Sequence, residues 1–397
     1  MSNKYILFII LGLDAFILIF QTGSLSISYS EAQLLEDEFT SLWALINSSL
    51  FFFGKNDFAL RLPMITLHVL SAMLLFQISK KYVKLERNRF WLLIIFLLLP
   101  GVISSAIIVN NAGLILFSLL LFVYIYENYS TKYSYMLLLI YMLIDGSFVY
   151  LFIALALFSL YKKDKNFFVF NMLLFLISLF IYGIDTHGFP KGYFINSIGL
   201  YAAIFTPIIF IYIFYVLYRR YLTNDIDMLW FISTVPFIIS LLLSFRQRVD
   251  IEHFAPYAIL ALPLIAQTFE HSYRVRLNTF RKNYKLMFII SLALLLTNSS
   301  IVFFNKYLYL IIREPRKNFS YNMHVAKELS AELKKRGIEC VDTDIKMSKR
   351  LKFYGVTNCN NYFLEENSLF SAKADDVTIS YKNRVVYSAS VTKININ

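Results

Sequence analysis

The chain has 397 residues, of which 58% are hydrophobic and 16% charged, with a mean hydropathy of +0.59 and a formal net charge of +12. A soluble domain carries about 45–50% apolar and roughly 25% charged residues, so a single water-soluble globule is excluded and a polytopic membrane protein with a polar appendage is implied. The basic residues lie between hydrophobic runs, as in cytoplasmic loops under the positive-inside rule, which speaks for membrane lipids and against a nucleic-acid partner.

Spans need about 20 apolar residues. On that measure helices are predicted over residues 5–21, 58–79, 90–109, 112–127, 133–145, 147–161, 166–184, 197–218, 228–245, 255–271 and 285–305, about eleven in all. Small residues follow the first of these, as after a cleaved signal peptide, but its n-region has one Lys and no clear A-x-A site. Next comes "SISYSEAQLLEDE" (Ser26 to Glu38), with four acids: Glu31, Glu36, Asp37 and Glu38. From Tyr29 to Gly54 apolar residues recur at helical spacing, yet the stretch is too amphipathic to span. It reads as one or two interfacial helices within 28–57, with Ser30 as N-cap and Glu31 in the first turn.

Charge sets the sidedness. The loop "KKYVKLERNR" (80–89) is basic, as are Lys162, Lys163 and Lys165, then Arg219 and Arg220, then "SYRVRLNTFRKNYK" (272–285). All fall on the cytoplasmic side if 133–145 and 147–161 cross separately. A single tilted helix over both is the alternative, and it would invert everything downstream. With two crossings the N-terminus is cytoplasmic, and the loop 22–57 and residues 306–397 are outside. The organisation expected is therefore a membrane domain over 1–305 and a small exported α/β domain over 306–397. In the latter, "NMHVAKELSAELKKRG" has helical spacing and stops at Gly337, while "IECVDT" and "DVTISYKNRVVYSASVTKI" alternate like strands. Cys340 and Cys359 both lie here. They are either bridged, as an oxidising compartment would allow, or two small strand residues. There is no Gly-rich phosphate loop, CxxC or HExxH, so soluble nucleotide and zinc motifs are unsupported.

The outward-facing polar residues carry the functional signal. Arg61 stands just before Pro63 at the mouth of a helix, where a snorkelling arginine is the plainer reading. Asn110 and Asn111 occupy an outer turn, ordinary turn chemistry in itself. In "SFRQRVDIEHFAPY", Arg246, Arg248, Asp250, Glu252 and His253 crowd one outer helix junction, where the positive-inside trend calls for no arginine. Arginine suits a phosphate through paired charge-assisted hydrogen bonds. "DTHGFPKGYF" adds Asp185, His187 and Lys191 in a Gly/Pro loop whose polar residues are more often simply solvated.

The order of these features resembles the GT-C membrane glycosyltransferases, in the branch of protein mannosyltransferases and bacterial lipid A aminoarabinose transferases. The resemblance rests on a first span, a long outer loop opening with acids, and "FFGKNDFALRLPMITLHVLSAMLLFQISKKY" with Gly54, Ala59, Arg61 and Pro63. It rests also on "EHFAPYAILALPLIA" at the start of a late span and on the polar C-terminal part. It implies the bacterial inner membrane, a polyprenyl-phosphate-linked sugar donor, and a cell-envelope lipid, glycan or protein as acceptor. Under it Glu31 would be the base or acceptor-orienting group, and Arg61, Arg246, Arg248 and His253 would bind the donor phosphate. Tyr29, Asn110, Asn111, Glu252 and Lys191 are further candidates for substrate contact, and a divalent metal is left open. Two departures stand out: the family's loop usually carries Asp-Glu where this chain has Ser30-Glu31, and its second acid falls at Asn110-Asn111. An amide cannot accept a proton at neutral pH. A non-catalytic protein that binds a polyprenyl lipid or helps assemble envelope polysaccharide is therefore the alternative.

Overall fold

The apolar runs become helices in a computed structural model that describes residues 3–36, 40–183, 192–367 and 376–393. Asp37, Glu38, Asp185, His187 and Lys191 lie outside the described residues. In chain order the helices are α1 (Asn3–Ser24), α2 (Tyr29–Leu34), α3 (Ser41–Phe53), α4 (Asp57–Tyr82), α5 (Glu86–Leu98), α6 (Pro100–Ile107), α7 (Asn111–Asn128), α8 (Thr131–Ile144) and α9 (Val149–Lys162). There follow α10 (Lys165–Tyr182), α11 (Phe194–Phe205), α12 (Pro207–Leu222), α13 (Met228–Ser244), α14 (Ile251–Ile259), α15 (Leu262–Val275), α16 (Asn278–Phe303), α17 (Ala326–Lys335) and α18 (Ile345–Phe353).

Three of the expected spans are broken. Residues 90–109 divide into α5 and α6, bent by 59°, and 197–218 into α11 and α12, bent by 104°. A proline lacks the N–H for the helical ladder and drives the preceding residue out of the helical region. Leu99 is accordingly extended (φ −62°, ψ 124°) before Pro100, and Thr206 takes φ 65° before Pro207. The span expected over 255–271 starts earlier, at Ile251, and breaks between α14 and α15. Pro63 and Pro236, by contrast, sit inside continuous helices.

Among the described residues, five helices are long and apolar enough to cross a membrane: Lys4–Ser24, α4, α7, α10 and α16. The two bent pairs raise this to seven if each is one span. The expected spans 133–145 and 147–161 are helical, but α8 and α9 have 14 residues each. At 1.5 Å per residue each is about 20 Å long, short of a hydrocarbon core of about 30 Å.

The chain divides into two compact units, and the division does not fall at residue 305. One holds Met1–Ala15, Met64–Ala106 and Asn110–Ser299; the other holds Phe16–Pro63, Ile107–Val109 and Ser300–Asn397. The first is helical throughout, with an aromatic core in which Tyr201 meets Phe237 edge-on and donates to or accepts from Ser240 Oγ at 2.7 Å. Gly101 lets α6 and α11 approach so closely that a Cβ there would lie 2.3 Å from Ile204.

In the second unit α17 and α18 pack with a three-stranded antiparallel sheet of β1 (Tyr362–Glu366), β2 (Val377–Tyr381) and β3 (Arg384–Lys393), in the order β1-β3-β2. Leu329, Leu333, Leu351, Leu364, Val377 and Tyr387 are in its core. The stretch "DVTISYKNRVVYSASVTKI", expected to be extended, forms β2 and β3, which pair antiparallel. The segment "IECVDT" does not become a strand: Cys340 and Asp342 make isolated parallel bridges to Thr357 and Phe363. Cys340 and Cys359, 19 residues apart, form a disulfide.

Candidate functional site

The acidic loop folds around Glu31. Ser28 caps α2, and its hydroxyl accepts from Glu31 N at 3.2 Å while Glu31 Oε2 accepts from Ser28 N at 2.8 Å, a reciprocal capping box. The cap is thus Ser28 rather than Ser30, whose hydroxyl instead meets that of Ser28 at 3.1 Å. Arg61 reaches the same carboxylate oxygen with Nη2 at 3.1 Å, and Val109 N donates to the other oxygen at 3.0 Å. Arg61 Nη1 also donates to the carbonyls of Leu25 (3.0 Å) and Thr22 (3.4 Å) and Nη2 to that of Ser26 (2.9 Å), while Nε is buried without a partner. Both side chains are 0% exposed. Glu31 and Arg61, expected as base and phosphate ligand, are therefore walled in and spend their polar atoms on each other and on loop backbone. A carboxylate holding three donors in the protein interior is poorly placed to take a proton from an acceptor.

The rest of the loop is tied to the C-terminal part of the same unit. Arg350 donates to Ile27 O at 3.0 Å, and Tyr354 accepts from Ile27 N at 2.8 Å while donating to Asp57 at 2.6 Å. Asp57 pairs with Lys327 at 2.7 Å. Glu36 pairs with Lys349 at 2.9 Å and Lys352 at 3.0 Å, whose hydrogen bonds hold its carboxyl below the usual range. Tyr29 presents its ring to Lys346 and Lys349, 5.8 and 5.9 Å from its centroid. It is thus a docking face for lysines of the same unit.

A second cluster lies in the helical unit and centres on a residue that the sequence reading passed over as a turn. Asp145 caps the short 3-10 turn Gly146–Phe148, accepting from Ser147 N at 2.7 Å, and Asn111 Nδ2 donates to its other oxygen at 3.0 Å. His253, on α14, contacts the Ser147 hydroxyl through Nδ1 and has Asp145 at 3.9 Å. Tyr257, one turn on, donates to Ser147 O at 2.8 Å. The His253 side chain keeps 35% exposure. Asn110, at the N-cap of α7, makes no capping bond, and its Oδ1 is buried without a partner. Arg246 and Arg248, in the link between α13 and α14, are exposed and make no ion pair among the described residues, and Glu252 beside them is exposed too. The structure thus brings Asn111 and His253 together through Asp145. The signal for Asp145 was legible as an Asp-Gly-Ser turn in which the carboxylate binds the backbone two residues on.

The sequence reading also missed a buried pair in the same unit. His68 Nε2 on α4 lies 2.8 Å from Asp14 on α1, with 3% and 13% side-chain exposure. Among the described residues no group of three His, Cys, Asp or Glu gathers that could hold a metal ion.

No family model matches the chain, and no curated protein does. Solved structures do match its fold. ArnT from Cupriavidus metallidurans bound to undecaprenyl phosphate aligns over 98% of both chains with a TM-score of 0.57 at 9% identity. The same protein in the apo state aligns over 98% of both with a TM-score of 0.54 at 10% identity. The polytopic fold that the GT-C resemblance implied is therefore the fold of this chain.

Proposed function

We propose that the chain is a multi-pass glycosyltransferase of the bacterial inner membrane, moving a sugar from a polyprenyl-phosphate donor to a cell-envelope acceptor at the outer face. The observation that carries this reading is the likeness, over the full length, to a structure holding undecaprenyl phosphate. In this reading residues 1–305 supply the membrane domain and 306–397 the exported part, with the N-terminus cytoplasmic.

The residues suited to the chemistry are those left uncommitted. Arg246 and Arg248 would accept the negative charge of the departing phosphate by charge-assisted hydrogen bonds. His253 would be the base for a hydroxyl acceptor. Nδ1 is engaged by the Ser147 hydroxyl, with Asp145 3.9 Å away; in the tautomer whose Nδ1–H donates to Ser147, Nε2 is the proton acceptor. The acceptor oxygen then bonds to the anomeric carbon, its proton passes to Nε2, and the bond from that carbon to the phosphate oxygen breaks with its electron pair on the phosphate. A phosphate acceptor would need no base. Glu31 and Arg61 hold the loop in shape in this scheme and take no part in transfer, and Asn110, Asn111, Glu252 and Lys191 remain proposed contacts. The alternative, a non-catalytic protein that binds a polyprenyl lipid, is favoured by one feature: Ser30 stands at the family's acid and Glu31 is locked away.

The test is release of undecaprenyl phosphate from a panel of undecaprenyl-phosphate-linked sugars by the purified protein. Arg246→Ala or Arg248→Ala should slow release roughly a hundredfold, the scale of one lost contact to developing charge. His253→Gln should cost about 10²–10⁴-fold with a hydroxyl acceptor and little with a phosphate acceptor. Full activity in both arginine variants would remove the clamp. Binding of the donor without any release would select the non-catalytic reading.

A further inference from the structure

A cavity of about 1370 Å³ opens between α5, α12, α15 and α16 of the helical unit. It exceeds the roughly 300–1,000 Å³ of a drug-sized site. Its walls are apolar and aromatic, with Trp91, Ile95, Ile265, Phe269, Phe288 and Leu292. One end is ringed by Lys84, Arg87, Arg274, Arg276, Arg281 and Lys285, against a single acid, Glu270. Three of these cations have structural partners: Arg276 stacks on Tyr284, Lys285 lies near the Tyr273 ring, and Arg281 donates to the carbonyls of Arg274 and Arg276. Lys84, Arg87 and Arg274 are exposed and have no carboxylate partner among the described residues. Glu270 Oε2 is buried and accepts nothing.

We propose that this cavity is a binding site for an anionic glycerophospholipid whose headgroup also carries hydroxyls, phosphatidylglycerol being the simplest. Acyl chains fill the apolar part, which is too large and too dry for a polar metabolite. The phosphate meets the uncommitted cations. A headgroup hydroxyl donates to the orphaned oxygen of Glu270, which the phosphodiester itself, carrying no proton, cannot do. The basic loops place the headgroup in the cytoplasmic leaflet under the positive-inside rule, where basic pockets between helices take up such headgroups. The site is separate from Asp145, His253 and Arg246, and its occupancy does not depend on sugar transfer.

Trp91 lines the cavity and is 38% exposed, so it reports on the lipid inside. The protein is reconstituted in phosphatidylcholine vesicles with a minor fraction of lipid brominated on its acyl chains, either phosphatidylglycerol or phosphatidylcholine. The Trp91 signal is the difference between wild type and Trp91→Phe. Brominated phosphatidylglycerol should quench it severalfold more, since each nearby cation favours an anionic lipid by about fivefold. Combined Lys84→Gln, Arg87→Gln and Arg274→Gln should abolish the excess. If that variant does not fold, Arg87→Gln alone should reduce the preference about fivefold. Brominated phosphatidylmethanol, a phosphodiester of the same charge without headgroup hydroxyls, should quench less than phosphatidylglycerol, and Glu270→Gln should narrow that gap. Equal quenching by brominated phosphatidylglycerol and phosphatidylcholine in the wild type would overturn the proposal and leave an apolar crevice open to any acyl chain. Equal quenching by phosphatidylmethanol and phosphatidylglycerol would overturn the hydroxyl–Glu270 contact.

Discussion

Replacing Glu31 by Gln keeps the shape of the side chain and removes its charge. The buried carboxylate now accepts from Ser28 N, Arg61 Nη2 and Val109 N. An amide has one oxygen, so either the α2 cap or the Val109 bond is lost, and its NH2 group must face a donor. The larger effect falls on Arg61, which stays 0% exposed with no counter-charge. Breaking one side of a buried pair costs about 3–5 kcal/mol, mostly from the charge left behind. Arg61→Met should cost as much, because it strands the Glu31 charge and loosens the carbonyls of Thr22, Leu25 and Ser26. The double variant Glu31→Gln/Arg61→Met should be less destabilised than the sum of the two single losses by about 0.5–3 kcal/mol, the coupling of residues in direct contact. Thermal unfolding in detergent, followed by tryptophan fluorescence, reads all three. Sugar release per folded molecule should change little in Glu31→Gln. If Glu31→Gln is as stable as wild type yet transfers nothing, Glu31 is the base after all and the structural reading of the pair is refuted.

Three further outcomes follow from the C-terminal part. His324 is buried, and desolvation, then Lys306 and Arg350, press its imidazole down to about 3 from an ordinary 6.5. Below about 6.5 the unfolded chain takes up a proton that the folded one refuses, so stability is whole above that pH and falls steadily toward about 3. His324→Gln should flatten this slope in chemical denaturation curves taken across the range. Opening the Cys340–Cys359 bridge with Cys340→Ser should cost roughly 3 kcal/mol for a loop of this length, read as a lower denaturation midpoint. Alkaline phosphatase fused after Asn397 should be active if, as proposed from the basic loops, residues 306–397 lie outside the cytoplasm. An inactive fusion, with a cytoplasmic reporter active in its place, would reverse the topology.

The helices were legible because a span is a long apolar run, and α1, α4, α7, α10 and α16 are such runs. Their breaks were less so. Pro100 and Pro207 end helices while Pro63 and Pro236 do not, because neighbouring packing decides whether a missing hydrogen bond is tolerated. The capping box was written in the sequence as Ser28-Tyr29-Ser30-Glu31, a Ser followed three residues on by Glu, and attention to Ser30 hid it. Polar residue types pointed to Glu31 and Arg61 correctly as unusual, but type alone does not tell a site from a strut. Only the geometry shows two arginines, Arg61 and Arg350, turned inward to backbone carbonyls, and two, Arg246 and Arg248, left in the open. Asp145 was invisible as a hub because its partners Asn111 and His253 are 34 and 108 residues away along the chain, a separation that no local pattern records.

The bonds that tie the acidic loop to α18 also set an order of events during synthesis. Glu36 and Lys352 are 316 residues apart. At about 5–20 residues per second, the ribosome needs about 15–60 s to deliver Lys349, Arg350, Lys352 and Tyr354 after the loop has emerged. The Glu31–Arg61 pair, only 30 residues apart, can close almost at once and keep the loop in shape through that delay. A chain cut short before residue 345 would retain that inner clasp but lose every anchor that α18 supplies, leaving Glu36 without its lysine partners and the loop open to quality-control proteases.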